Sequence, residues 1–182
     1  MKIIEQPFSD CFLLKPFVIE DERGYFFESF NDQKFREATG ISTNFVQDNQ
    51  SYSSYGVIRG LHAQANEFAQ AKLVRVLQGE VLDVIVDARK ESPSFGKSYS
   101  VQLSAENKFQ LFIPRGFYHG FAVLSETAEF FYKCDNFYNK ASERGVFYAD
   151  PSLNIDWIIK EADRIVAKKD LDLAHFNENS LL

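Results

Sequence analysis

The chain is punctuated: short aromatic or β-branched runs, each stopped by Gly, Asn, Asp or Ser, recur about every ten residues. Runs so short leave no room for long amphipathic helices, and their spacing is that of an all-β sandwich or barrel. The runs are Gly24–Phe30, Phe45–Tyr52, Gly56–Leu61, Lys72–Leu77, Val81–Asp87, Tyr99–Leu103, Lys108–Ile113, Gly120–Leu124, Glu129–Lys133 and Gly145–Tyr148. The 19 Phe and 8 Tyr fit that reading, because aromatic rings favour strands and fill sandwich interiors. Leu77-Gln78-Gly79-Glu80-Val81 reads as a hairpin turn with Gly supplying the unusual backbone angle. Helix is scarce. Asp32–Thr39 has Asn31 to cap its start and Gly40 to end it, and a second helix is expected near Ile158–Val166. The polar stretch Phe176–Ser180 is expected to fray.

Neither a Pro/Ser/Gly linker nor a repeat divides the 182 residues, so one domain is expected over 1–182, with a tail from about residue 171. The balance of 20 basic against 26 acidic residues, net −6, argues against a general nucleic-acid or membrane-surface partner. An anionic ligand must then meet a local basic cluster. Two cysteines, Cys11 and Cys134, exclude a disulfide framework and a four-Cys zinc site, and point to a reducing cytoplasm. Met1-Lys2-Ile3-Ile4-Glu5 meets an acid before any apolar stretch forms, unlike a signal peptide, and no run approaches membrane-spanning length.

Polar residues interrupt two otherwise apolar strands. In Val81–Asp87 one face carries Val81, Asp83, Ile85 and Asp87; in Lys72–Leu77, Lys72 and Arg75 lie on opposite faces. Such groups suit a barrel that holds a ligand, and equally suit strand ends or a structural ion pair. Of the three histidines, none stands in a His-x-His pair, which argues against a dedicated metal site. His62, in Arg59-Gly60-Leu61-His62, has the chemistry of a neutral-pH base, although a strand histidine is more often a hydrogen-bonded core or rim residue. His119 invites the same two readings, and His175 near the tail is expected to be solvated. Arg59 and His62 are three apart and point to opposite faces of a regular strand, so sharing one ligand requires a bulge, which Gly60 permits. Tyr132 is either a proton donor or a core tyrosine with a wet hydroxyl. The chain has no Gly-x-Ser-x-Gly elbow and no Walker loop.

Taken in order, Asp21-Glu22-Arg23-Gly24-Tyr25-Phe26-Phe27-Glu28-Ser29-Phe30, Gln47-Asp48-Asn49-Gln50-Ser51, Gly56-Val57-Ile58-Arg59-Gly60-Leu61-His62, Lys72-Leu73-Val74-Arg75-Val76, Asp83-Val84-Ile85-Val86-Asp87, Ser92-Pro93-Ser94-Phe95-Gly96, Ile113-Pro114-Arg115-Gly116-Phe117-Tyr118-His119-Gly120-Phe121 and Tyr132-Lys133 closely resemble the dTDP-4-dehydrorhamnose 3,5-epimerase family. The resemblance runs from about residue 4 to Asp170. It implies a cupin-type jelly roll, a homodimer with exchanged N-terminal strands, and no metal or other cofactor. The implied substrate is dTDP-4-dehydro-6-deoxy-glucose, inverted at C3 and C5 on the route to dTDP-L-rhamnose. His62 matches the family's base, Asp170 its carboxylate partner, Tyr132 the acid and Lys72 the cation near the enolate oxygen; His119 and Asp83 match a second pocket histidine and a supporting carboxylate. Arg23, from the partner subunit, and Arg59 match diphosphate contacts. Glu28, Gln47 and Asn49 match thymidine contacts, with Phe26 and Asp48 counted beside them as substrate-binding. Tyr138 matches an aromatic that stacks on thymine, and Glu143 and Lys169 match further substrate contacts.

The chain departs from the family pattern at three places. Ala63 stands where an aromatic usually follows the base, Tyr118 where a small residue usually precedes the second histidine, and Ala167 where a Ser usually opens the C-terminal motif. Tyr118 is expected to fill the space that Ala63 leaves, and Asp163 is the alternative partner for His62. Three other readings stay open: a monoepimerase of a related dTDP-4-keto sugar, a silent nucleotide-sugar-binding cupin, and a metal-dependent cupin oxygenase.

Overall fold

A computed structural model describes residues 1–182. The strands are β1 (Lys2–Phe8), β2 (Cys11–Lys15), β3 (Ile19–Asp21), β4 (Gly24–Phe26), β5 (Gln47–Ser54), β6 (Val57–Gln64), β7 (Lys72–Gln78), β8 (Glu80–Asp87), β9 (Ser98–Ser104), β10 (Gln110–Ile113), β11 (Phe117–Val123), β12 (Thr127–Cys134), β13 (Glu143–Gly145) and β14 (Ile165–Val166). The helices are α1 (Asp32–Thr39) and α2 (Lys168–Leu171). One sheet runs β1-β2-β10-β7-β12-β5 and the other β13-β6-β11-β8-β9, with β14 lying parallel to the start of β6. The fold is an all-β, cupin-type jelly roll.

Period-2 alternation decides what each sheet buries. Leu13, Val74, Leu111 and Phe130 of the first sheet meet Val81, Ile85, Leu103 and Phe121 of the second in the space between them. Leu82, Val84, Val86 and Ala122 point the other way, beneath a C-terminal layer of Val146, Leu153, Trp157 and Ile159. Burial on both faces explains why β8 reads as a nearly unbroken apolar run. The outer face of the first sheet is covered by Phe35 of α1 packed on Phe12, Leu14 and Phe112. That helix starts and stops where expected: the Asn31 side chain accepts from the Lys34 amide, and left-handed Gly40 donates to the Arg36 carbonyl.

Several elements differ from the sequence reading. β1 and β2 were not among the expected runs; β1 mixes Lys2, Glu5 and Gln6 with its apolar residues because it is an edge strand facing solvent. The expected strand Gly24–Phe30 ends at Phe26, and Gly145–Tyr148 is replaced by the earlier β13. The turn at Gly79 has its positive φ of +76°, but β7 and β8 lie in different sheets, so it is a corner of the sandwich and not a hairpin. No helix forms over Ile158–Val166: a short 3₁₀ turn, Glu161–Asp163, leads into β14. Trp157 and Ile159 are buried in the layer pinned on the sheet while Ile158 between them is exposed, an alternation that belongs to extended chain and not to a helical face. Arg75 faces outward, between the rings of Phe27 and Phe131, and not into the interior. The segment expected to fray is docked, with Phe176 against Phe95 and Tyr118. No helix is long and apolar enough to cross a membrane.

Candidate active site

An open cleft of about 700 Å³ lies between the two sheets. The β6–β11 side contributes Arg59, His62 and His119, and the β5–β7–β12 side contributes Asn49, Ser51, Lys72 and Tyr132. Arg59 and His62 both reach it because β6 is irregular between them. Gly60 adopts φ +127°, and the β6–β11 register shifts between the His119–His62 and Phe121–Arg59 pairs. The room for this kink comes from a second glycine, since a Cβ on Gly120 would stand 2.6 Å from the Arg59 carbonyl oxygen and 3.1 Å from the Gly60 Cα.

His62 is hydrogen-bonded through Nε2 to Asp170 Oδ1 at 2.7 Å, with side-chain exposures of 28% and 4%. Burial pushes the Asp170 carboxyl upward, but the His62 hydrogen bond, the nearby charges of His62 and Lys169 and the Gly60 amide together hold its pKa below the usual range. An ionised carboxylate can only accept, so Nε2 carries the proton and Nδ1 is left as the basic nitrogen. Asp163 makes no hydrogen bond or ion pair with His62; its carbonyl oxygen lies against Gly56. A second pair stands behind it: His119 Nε2 bonds buried Asp83 Oδ2 at 2.9 Å, while Asp83 Oδ1 has no partner. Burial raises the Asp83 carboxyl despite the charges of His119 and Lys72.

Across the cleft, burial pushes the Tyr132 phenol up to about 12, so it is protonated at neutral pH. Burial also lowers the Lys72 ammonium against the opposing pull of Cys134, Asp83 and Glu143. The Lys72 Nζ lies 5.9 Å from the Tyr132 ring centroid. At the rim, Glu143 accepts from Tyr138 Oη at 2.7 Å and Lys169 Nζ at 3.1 Å, and the Arg59 Nε donates to Ser53 Oγ at 3.1 Å.

Residues 5–178 match the family profile described as dTDP-4-dehydrorhamnose 3,5-epimerase. The chain belongs to that family. The Shigella flexneri dTDP-4-dehydrorhamnose 3,5-epimerase is 52% identical over 172 residues, 94% of each chain. The crystal structure of the Elizabethkingia anophelis enzyme of the same description superposes with a TM-score of 0.93 at 58% identity, covering 97% of this chain and 96% of the other. That of the Legionella pneumophila dTDP-6-deoxy-D-glucose-3,5-epimerase in complex with dTDP-4-keto-L-rhamnose does so with a TM-score of 0.93 at 45% identity, covering 99% and 96%.

Within this epimerase-family cleft stand ten of the residues named from the sequence: His62, Tyr132, Lys72, Asp170, His119, Arg59, Asn49, Tyr138, Glu143 and Lys169. Asp83 sits one layer behind, on His119, and Gln47 lies at the margin, bonded to Asn49 and to the Tyr138 amide. Asp48 does not line the cleft. Strand alternation turns it to the outer face, where it pairs with Lys133 at 2.8 Å. Arg23, Phe26 and Glu28 also lie outside this chain's cleft, on or after the β3–β4 hairpin, with Arg23 paired to Asp21 and Glu28 to Lys34. Two residues went unnoticed in the sequence. Gln64 and Gln70 line the cleft and hold the loop bearing Tyr138, accepting from the Asn139 amide at 2.9 Å and donating to the Asn136 carbonyl at 2.8 Å. Strand periodicity could have found Gln64, two residues beyond His62. Tyr118 and Ala63 are the next residues beyond the His119–His62 pair, and both are buried in the same cluster behind the cleft. His175 is paired with Asp150 at 3.0 Å, although its side chain is mostly exposed.

Proposed function

We propose that the chain acts as a single jelly-roll unit that inverts C3 and C5 of dTDP-4-dehydro-6-deoxy-glucose through an enolate, as the dTDP-4-dehydrorhamnose 3,5-epimerase of dTDP-L-rhamnose biosynthesis. The observation that supports this reading is that His62 and Tyr132 stand on opposite sheets across one cleft, as a base and a proton donor for inversion would need to. A C4 ketone acidifies the hydrogens on both neighbouring carbons, and inversion requires removal from one face and return to the other. His62 takes the proton at Nδ1, and Asp170 stabilises the resulting imidazolium. Tyr132 donates its own proton to the opposite face of the carbanion; solvent then restores the phenol and accepts the proton from His62. Lys72, short of solvent, gains more from a developing O4 oxyanion than an exposed lysine would. Asp83 fixes His119 beside them. Arg59 serves the diphosphate, Tyr138 and Asn49 the thymidine, and Glu143 and Lys169 the rim.

The test is NMR of dTDP-4-dehydro-6-deoxy-glucose incubated with the protein in D₂O, with a ketoreductase added to trap product. Deuterium at both C3 and C5 in a rhamno-configured product is the expected result. Incorporation at one carbon would make the chain a monoepimerase, and none at either would overturn the reading.

The same proposal includes a homodimer. Phe17 (76%), just before the β3–β4 hairpin, and the cross-strand pair Ile19 and Phe26 (68%) within it line one exposed apolar surface that a second copy would cover, carrying Arg23, Phe26 and Glu28 toward the partner's cleft. Light scattering is expected to give twice the chain mass; a monomer would refute this part. The cytoplasm is the setting we assign, where free, buried Cys11 and Cys134 stay reduced.

A further inference from the structure

Asp170 owes its position to very little of its own. Its helix, α2, is four residues long, and Ala167 gives it no side-chain cap. So short a helix has no intrinsic stability, so beyond its hydrogen bonds to His62 and the Gly60 amide the carboxylate is placed by what flanks it. Upstream, β14 is tied to β6, with the Ile165 amide on the Gly56 carbonyl at 2.8 Å. Downstream, contacts follow one another without a gap. Leu173 lies over Gly145, where a Cβ would meet its Cδ1 at 2.7 Å, and Gly145 is the residue paired with His62 in the β13–β6 ladder. The Phe147 amide donates to the Ala174 carbonyl at 2.8 Å.

Asp150 then clasps the tail. Its Oδ2 accepts the Phe176 amide at 2.6 Å and bonds His175 Nδ1 at 3.0 Å, while Oδ1 accepts the Ser152 amide and hydroxyl at 2.8 and 2.7 Å. The side chain is only 4% exposed. Burial works against its charge, but those hydrogen bonds hold its pKa below the usual carboxylate range. Finally the Phe176 ring packs on Phe95 and Tyr118, at centroid distances of 5.2 and 6.5 Å.

We propose that the segment Leu173–Phe176, seated on Gly145 and clasped by Asp150, is a strap that positions Asp170 against His62. Leu173 and Asp150 are positioning residues acting through Asp170. The catalytic consequence rests on the epimerase reading; the positioning claim does not.

The test uses the full-length chain with Leu173→Ala, Asp150→Asn and the conservative Leu173→Met. Imidazole ¹⁵N spectra report the His62 tautomer without substrate, and steady-state kinetics report kcat and KM separately. The parent is expected to hold one His62 tautomer, protonated on Nε2. Leu173→Ala and Asp150→Asn should give a mixture and lower kcat about 10–100-fold, with KM for the nucleotide sugar within about twofold. Leu173→Met should restore both. A variant that keeps the single tautomer and the parent kcat while only its melting temperature falls would overturn the strap. Should Asp150→Asn fail to fold, Leu173→Ala still decides. If the parent protein fails to turn over the sugar, the epimerase reading fails, and the spectra still judge the strap.

Discussion

Replacing His62 with Ala should lower turnover about 10²–10⁴-fold, the range for loss of a general base, while dTDP affinity stays within about threefold. The proton on C3 or C5 is abstracted only in the transition state, so the imidazole adds little to ground-state binding. The geometry of His62 suits that role: Nε2 is engaged by Asp170 at 2.7 Å, which leaves Nδ1 free to accept. Arg59→Ala should show the reverse split, with weakened dTDP binding, because its guanidinium stands at the cleft with only Ser53 as a side-chain partner. Single-turnover kinetics with calorimetric dTDP titration separate the two outcomes. Parent-like turnover in His62→Ala would remove the base from this account.

Gly60→Ala should be severely damaging to both stability and turnover. The added Cβ would lie 2.5 Å from Gly120 Cα and 2.8 Å from the His119 carbonyl oxygen, both backbone atoms that cannot swing away. The backbone at Gly60 also has φ +127°, a region that side chains with L chirality rarely enter. Either β6 and β11 separate or the kink straightens. Both outcomes move Arg59 relative to His62 and shift the Gly60 amide that supports Asp170. A loss of about 3 kcal/mol or more is expected, or roughly 6–12 °C in Tm for a chain of this size, together with loss of turnover. Circular dichroism melts check the first effect and the D₂O assay the second. A variant melting within about 2 °C of the parent would show that the two strands yield more easily than this packing allows.

How much of this was legible beforehand differs from element to element. β8 and β12 are legible because both lie inside a sheet: burial on both faces makes β8 a nearly unbroken apolar run, and burial on one face makes the first half of β12 alternate. The edge strand β1 did not, since solvent on one side relaxes the pattern. The corner at Gly79 was read correctly in its backbone angle and wrongly in its pairing: a local sequence specifies a turn's φ, but not which sheet the next strand joins. Asp48 lies off the cleft for a related reason, because neighbours in one motif alternate between faces and its pairing with Lys133 holds it on the outer one.

Legible from residues alone are the β architecture, the capped helix α1, and the chemical inventory of the cleft, from His62, Lys72 and Tyr132 to the motifs that carry the family likeness. These follow from side-chain period, turn chemistry and residue type, which are local properties. Long-range packing alone sets His62 and Tyr132 on opposite sheets, brings Asp170 and not Asp163 to His62 across 108 positions, and docks the polar tail that local composition reads as frayed. Each of these depends on contacts between segments remote in the chain. Such contacts are set by how two sheets and their covering layers bury one another, and no window of the sequence contains both partners.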